Sequence, residues 1–345
     1  MADNLGMMTQ LAGQSLRFGW YFALNRLVEQ RSAQSGAVRR AKPTRPMPTL
    51  NELLADVGQL LLSDAMAVRE GLYPPMEDEP VSPLSHLARA RQMLADLSLA
   101  LDRRKVNDTA TAKAEATAAD VPDYYAQDFH FQSGGYLTDE SARLYDIQVE
   151  TLFMGAAGPM RRAALRPIAE FMRGRDQRHV TLLDVACGTG RFLRQVRLAW
   201  PAMQLEGLDL SQAYLDEARR HLRGLRVPEL IRAAAERMPL ADASVDIATA
   251  VFLYHELPPE VRRQVTAEIA RVLKPGGLFI FIDSLQIGDR PSWDGLLEAF
   301  PARFHEPYYQ HYTTDNLDSM FSDAGLPAHS SRTAFLSKMM VRRKA

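Results

Sequence analysis

The sequence predicts an α/β fold: a doubly wound, mostly parallel sheet with helices on both faces, preceded by an additional N-terminal helical domain. Three observations carry this expectation. From Val180 onward, short β-branched or apolar runs alternate with amphipathic helical patterns, as in βαβ units whose sheet is covered on both faces. A glycine-containing loop joins the first of these strands to a helix. Before residue 105, apolar residues recur at helical spacing.

The 345 residues are 46% hydrophobic and 24% charged, with a formal net charge of -1. That is enough apolar material for a sizeable core, and no global field draws the chain to nucleic acid or an anionic surface. The single cysteine, Cys187, allows no intramolecular disulfide. The start MADNLGMMTQ lacks a signal-peptide pattern, and no uncharged apolar run reaches the roughly 18–20 residues of a membrane span. A cytoplasmic protein is expected, with contact at the inner face of a membrane left open.

The first helical pattern, LRFGWYFALNRLV at residues 16–28, lies in a stretch with seven Lys/Arg against two acids. It suits a peripheral membrane helix, a homodimer interface or a helix packed on the rest of the N-terminal domain, the last two being favoured. Thr49 and Glu52 form a capping box for a helix with Leu53, Val57, Leu60 and Leu61 on its apolar face. A third helix runs from about Pro83 to Arg103. Residues 105–121, rich in Ala and Thr, read as a linker. The expected units are thus a helical domain over 1–104, the linker, a helical cap over 122–179 and the α/β domain over 180–345. The cap holds a long helical pattern from Asp139 to Arg173, broken near Gly155 and Gly158. The tail adds a last strand at Phe335–Arg342.

The segment LLDVACGTGRFL places Asp184 at the end of a buried strand and a helix start near Arg191. Gly188 and Gly190 let a ligand approach the backbone, and the helix N-terminus suits an anionic group. Nineteen residues after Gly190, a second strand, QLEGLDL, ends at Asp209. An acid there accepts hydrogen bonds from ribose hydroxyls in doubly wound folds. A dinucleotide fingerprint needs a third glycine, and that position is Leu193, so an NAD-dependent oxidoreductase is the minor reading. Cys187 reads as a small residue in a crowded turn rather than a nucleophile.

With ERMPL, SVDIA and LKPGG following in order, the chain resembles the class I S-adenosylmethionine-dependent methyltransferases over about residues 180–285. It looks most like the group containing the ubiquinone/menaquinone-biosynthesis and sterol methyltransferases. The resemblance implies a Rossmann-like domain and S-adenosylmethionine as cofactor, leaving S-adenosylhomocysteine as product. It implies that Asp184, Ala186, Gly188 and Gly190 surround the methionine part, and that Asp209 holds the ribose with Leu210 beside the adenine. Ala235 and Glu236 would form the turn under the adenine edge. The Phe252 backbone, at the end of the fourth strand, would meet the cofactor's amino group. One departure is Ala234, where the family often has Asp.

His255 and Glu256, in FLYHELP, follow the fourth strand at the sheet's carboxyl edge and are the candidate catalytic residues. His255 reads equally as a general base or acceptor-orienting group, or as a residue packed on the cofactor or capping the next helix. Two aromatic stretches, YYAQDFHFQSGGYL (124–137) and FHEPYYQHYT (304–313), suit an acceptor pocket. Tyr125, His130 and Tyr136 from the first, Tyr309 and His311 from the second, and Tyr254 beside His255 are the candidate acceptor-binding residues. No metal ligands are expected. The fourth strand is not followed by the Asn/Asp-Pro-Pro-aromatic motif of base-modifying methyltransferases, so no nucleic-acid partner is expected. The expected function is methylation of a small quinone-, phenol-, polyketide- or isoprenoid-like acceptor. A non-catalytic S-adenosylmethionine-binding scaffold or sensor is the alternative.

Overall fold

A computed structural model of the chain describes residues 2–36, 43–76, 83–106, 121–127 and 135–345. Three N-terminal helices, α1 (Asn4–Ser35), α2 (Leu50–Arg69) and α3 (Pro83–Val106), precede the shorter helices Asp139–Leu152, Ala157–Arg162 and Leu165–Met172. The sheet follows, as β1 (Thr181–Val185), β2 (Gln204–Asp209), β3 (Glu229–Arg232), β4 (Val245–Val251), β5 (Leu273–Ser284), β6 (Ala328–Ala334) and β7 (Ser337–Arg343). Its strand order is β3-β2-β1-β4-β5-β7-β6. The first five strands pair in parallel, and β7 is antiparallel to both β5 and β6. The order reverses between β1 and β4, so a ligand crevice opens at the carboxyl ends of those two strands.

Each sheet face carries its own core. One buries Leu182, Ile247, Ile280 and Val341 beneath the helix Arg191–Ala199, with Met160, Ile168 and, from α2, Val57, Leu60 and Leu61. The other buries Leu183, Val185, Phe279 and Phe281 beneath the helix Pro259–Val272, with Phe321. Thus α2 shares a core with the α/β domain and α1 packs on it through Leu11, Phe18 and Phe22, whereas α3 packs on α1 and the helix Asp139–Leu152. Thr49 and Glu52 form the expected capping box of α2. The stretch 16–28 is the middle of the longer helix α1, which buries Tyr21 and Leu24 against its own chain while leaving Leu16 and Trp20 exposed.

A polar node locks this docking. Buried Asp64 of α2 accepts two bonds from Arg162, at 2.8 and 3.0 Å, one from Tyr73 Oη at 2.8 Å and one from Gln10 of α1 at 2.8 Å. Nearby, Arg17 of α1 pairs with buried Glu150 at 3.1 Å, and Arg161 reaches the same carboxylate at 3.4 Å.

Three details differ from the sequence expectation. The long pattern from Asp139 breaks at Met154 and Gly155, both at positive φ, whereas Gly158 lies inside a helix. Gly155 passes within van der Waals reach of α1, where an added Cβ would stand 3.3 Å from the Arg17 carbonyl oxygen. The tail forms a hairpin of two strands, with Phe335 at φ 56 in its turn. The short, partly exposed β3 was not expected, because its four residues carry too little apolar pattern to register. The expected linker falls mostly outside the described residues.

Candidate active site

β1 runs into a loop in which three residues take left-handed backbone: Ala186 at φ 57, Gly188 at φ 54 and Gly190 at φ 74. Ala186 has a counterpart in Phe252, at φ 58, just past the end of neighbouring β4. Such conformations are strained for residues with a side chain and persist where surrounding structure enforces them, commonly at ligand sites. The two glycines serve different ends. Gly188 faces open space, with the Tyr214 ring 4.0 Å from an added Cβ. At Gly190 the Cβ would stand 3.0 Å from Ala218 Cβ, so this glycine admits the close approach of the helix Gln212–His221. Cys187 is buried, and burial pushes its thiol well above the ordinary range, in keeping with a packing role.

Asp209, at the end of β2, is buried and accepts from the backbone N–H groups of Gly188 at 2.8 Å and Ser211 at 2.9 Å. Burial raises its pKa to about 6. Asp184, at the end of β1, accepts from Thr249 Oγ1 at 2.7 Å and is raised by burial to about 7. Two carboxylates thus stand desolvated at adjacent strand ends, with hydrogen-bond donors for close partners. They fit a ligand that brings hydroxyl donors and positive charge, as the ribose and sulfonium of S-adenosylmethionine do. In the turn that the resemblance assigns to the adenine edge, Glu236 accepts from Tyr124 Oη at 2.8 and 2.9 Å, next to Ala235. Leu210 is half-buried beside Asp209. The Phe252 N–H bonds the Ile282 carbonyl at 2.8 Å, and its ring stacks on Phe153.

Across the cleft, His255 and Glu256 lie in a single 3₁₀ turn, Tyr254–Glu256. The sequence reading missed the residue that controls them. Asp283, fully buried near the end of β5, receives the backbone N–H of Tyr254 at 2.7 Å and holds His255 Nδ1 at 2.6 Å. Burial alone would lower the His255 pKa, but the Asp283 carboxylate outweighs it and raises it to about 10. Asp283 thus favours the imidazolium form of His255. Its Nε2 lies 3.7 Å from Glu256 Oε1, and Glu256 accepts a 2.5 Å bond from Tyr136 Oη. Burial pushes Glu256 up to about 7. Glu306, also missed, is buried nearby and raised for the same reason. Ligand atoms of His255, Glu256 and Glu306 lie within 4.8 Å of one another. An isolated acid in the apolar run LFIFIDS, at a strand's carboxyl end, was the available signal for Asp283.

Tyr136 and Tyr309 converge on this group. Tyr309 is edge-on to His255 at 6.1 Å and bonds Ser284 Oγ through its hydroxyl at 2.8 Å. Tyr125 lies 6.1 Å from the Tyr136 ring, in a cluster with Tyr145 and Tyr214. Two expected acceptor residues lie elsewhere. Tyr254 turns into the sheet core against Phe279, Phe281 and Phe321, because the turn after β4 points its ring to the opposite face. His311 is 52% exposed and bonded to Arg262 on the outer helix. His130 lies outside the described residues.

A family model described as a methyltransferase domain matches residues 182–277. The chain is 30% identical over 213 residues to a ubiquinone/menaquinone biosynthesis C-methyltransferase UbiE of Syntrophotalea carbinolica, covering 59% of this chain and 82% of that one. It is 34% identical over 124 residues to a phthiotriol/phenolphthiotriol dimycocerosates methyltransferase of Mycobacterium tuberculosis, covering 35% of this chain and 44% of that one. It spans less than half the length of the first curated relatives it matches. Among solved structures, a SAM-dependent methyltransferase from Aquifex aeolicus matches with a TM-score of 0.40 and 20% identity, over 52% of this chain and 88% of that one. With these motifs on this sheet, and a relative covered over most of its length, the chain belongs to the class I S-adenosylmethionine-dependent methyltransferases.

Proposed function

We propose that this protein moves a methyl group from S-adenosylmethionine to a small apolar or amphipathic acceptor bound against Tyr136, Tyr309 and the His255–Glu256 turn. One observation carries the reading: Glu256, a half-buried carboxylate held by Tyr136 Oη, lies 3.7 Å from the His255 ring that Asp283 fixes in place. When bound, the cofactor supplies an electrophilic methyl group on a sulfonium, already a good leaving group. The chain's own task is to position the acceptor, exclude water and manage one proton. Glu256 is tuned to take that proton from a phenolic hydroxyl or an activated carbon near neutral pH. His255 donates a hydrogen bond to an acceptor oxygen as negative charge grows on it. Tyr136 orients Glu256, and the ring of Tyr309 offers an apolar wall beside a polar group, which suits quinone-, phenol-, polyketide- or isoprenoid-like molecules.

The relatives named for ubiquinone/menaquinone biosynthesis and for phenolphthiotriol support an acceptor of this kind. The test is transfer of label from methyl-labelled S-adenosylmethionine to a panel of quinone, phenol, polyketide and isoprenoid acceptors. Label is expected in an organic-soluble product. Normal S-adenosylhomocysteine binding with no transfer to any of them would favour the non-catalytic scaffold.

A further inference from the structure

A cavity of about 300 Å³ lies between α2, the helix Ala157–Arg162 and the β6–β7 hairpin. Its wall includes four guanidinium side chains, Arg162, Arg166, Arg290 and Arg332, and two carboxylates, Asp56 and Asp64. Arg162 and Asp64 satisfy each other in the buried node described above. Arg290 pairs with Asp56 at 2.7 Å, and Arg166 pairs with Glu70 at 2.8 Å. Arg332 has no carboxylate partner among the described residues and gives one bond, from Nη2 to the Ala163 carbonyl at 2.7 Å.

Two nitrogens of these side chains, Arg332 Nε and Arg290 Nη1, are buried without an acceptor among the described residues. A buried, unmatched N–H is costly, and a guanidinium fork matches the paired oxygens of an oxyanion. Burial, followed by the charge of Arg166, holds the Arg332 pKa down, against a smaller opposing pull from Tyr73 and Glu170. The cavity is separate from the methyl-transfer cleft. Arg161 turns toward Glu150 and the Phe252 ring, whereas its neighbour Arg162 turns toward Asp64 and the cavity.

We propose that this cavity is a second binding site, taking a small molecule through a phosphate or carboxylate group held by Arg332 and Arg290. The experiment is calorimetry on the full chain with inorganic phosphate and, separately, citrate, each at ionic strength matched with chloride. Saturable binding of one of them to the wild type is expected, and the anion that binds identifies the group. Affinity should fall about tenfold or more in Arg332→Gln and in Arg290→Gln. S-adenosylhomocysteine affinity should be unchanged in both, which also reports that they are folded. If Arg332→Gln fails to bind S-adenosylhomocysteine, Arg290→Gln decides alone. Absence of binding to the wild type above the chloride control overturns the proposal, as does wild-type anion affinity in the variants that bind S-adenosylhomocysteine.

Discussion

At the scale of single residues, the His255–Asp283 contact reassigns the chemistry. On the proposed reading, Asp283 favours the protonated imidazole, which leaves Glu256 as the base and His255 as the donor beside it. Glu256→Gln should therefore lower kcat by about 10²–10⁴ and leave the cofactor Kd nearly unchanged. His255→Ala should also lower kcat, whereas a parallel loss of cofactor affinity would assign it to packing on the cofactor. Both constants, measured on each variant, separate these roles. Gly190 makes a different kind of prediction. A methyl group there meets Ala218 at 3.0 Å on a backbone at φ 74, so Gly190→Ala should cost roughly 1–3 kcal/mol in urea unfolding. Weaker cofactor binding at unchanged stability would instead make it a ligand-approach glycine.

At the scale of elements, the N-terminal helices are fixed to the α/β layers by burial and by the Asp64 node. Asp64→Ala leaves Arg162, fully buried, without its charge partner. Removing one member of a buried pair costs about 3–5 kcal/mol, a loss that denaturant unfolding resolves. A change within about 0.5 kcal/mol would mean that the docking rests on apolar contacts alone. The sequence disclosed elements whose local signals are strong. The Thr49–Glu52 capping box, the Asp184-to-Arg191 loop and the parallel strands β1, β2, β4 and β5 all carry periodic or motif-level patterns. It was mute on β3, whose four residues are partly exposed, and on the first strand of the tail hairpin, Ala328–Ala334, which is mostly exposed. Asp283 and Glu306 escaped notice because their roles come from chain segments folded back over His255 from 28 and 51 residues away. Tyr254 and His311 misled because an aromatic or imidazole beside a site in sequence need not share its side of the backbone.

At the scale of the whole molecule, the cleft is an acidic chamber whose groups titrate far from their ordinary values. Asp184 and Asp209 have folded-state pKa values of about 7 and 6, above the carboxylate range, because they are buried. Between roughly pH 4 and 7 the folded chain holds protons that the unfolded chain releases, so their contribution to stability falls as pH rises. His255 acts in the same direction. Its raised pKa contributes stability fully present below about pH 6.5 and lost as pH rises through 10. Free of cofactor, the protein should thus lose Tm from these groups between pH 5 and 8. The gain in Tm from added S-adenosylmethionine should be larger at pH 7.5 than at pH 5, where Asp209 is protonated and no longer a charged acceptor. Thermal unfolding with and without cofactor across this range checks both signs, and a larger gain at pH 5 would contradict the assignment of these carboxylates.

The most direct test of the cleft as a cofactor site organised by Asp209 is calorimetry of S-adenosylmethionine on the wild-type chain and on Asp209→Ala. The wild type should bind in the micromolar range, on the order of -8 kcal/mol. Loss of a charge-assisted acceptor is worth roughly 1.5–3 kcal/mol, so the variant should bind about tenfold to a hundredfold more weakly while keeping its fold. Equal dissociation constants for the two proteins, or a wild type that binds NAD and not S-adenosylmethionine, would contradict it.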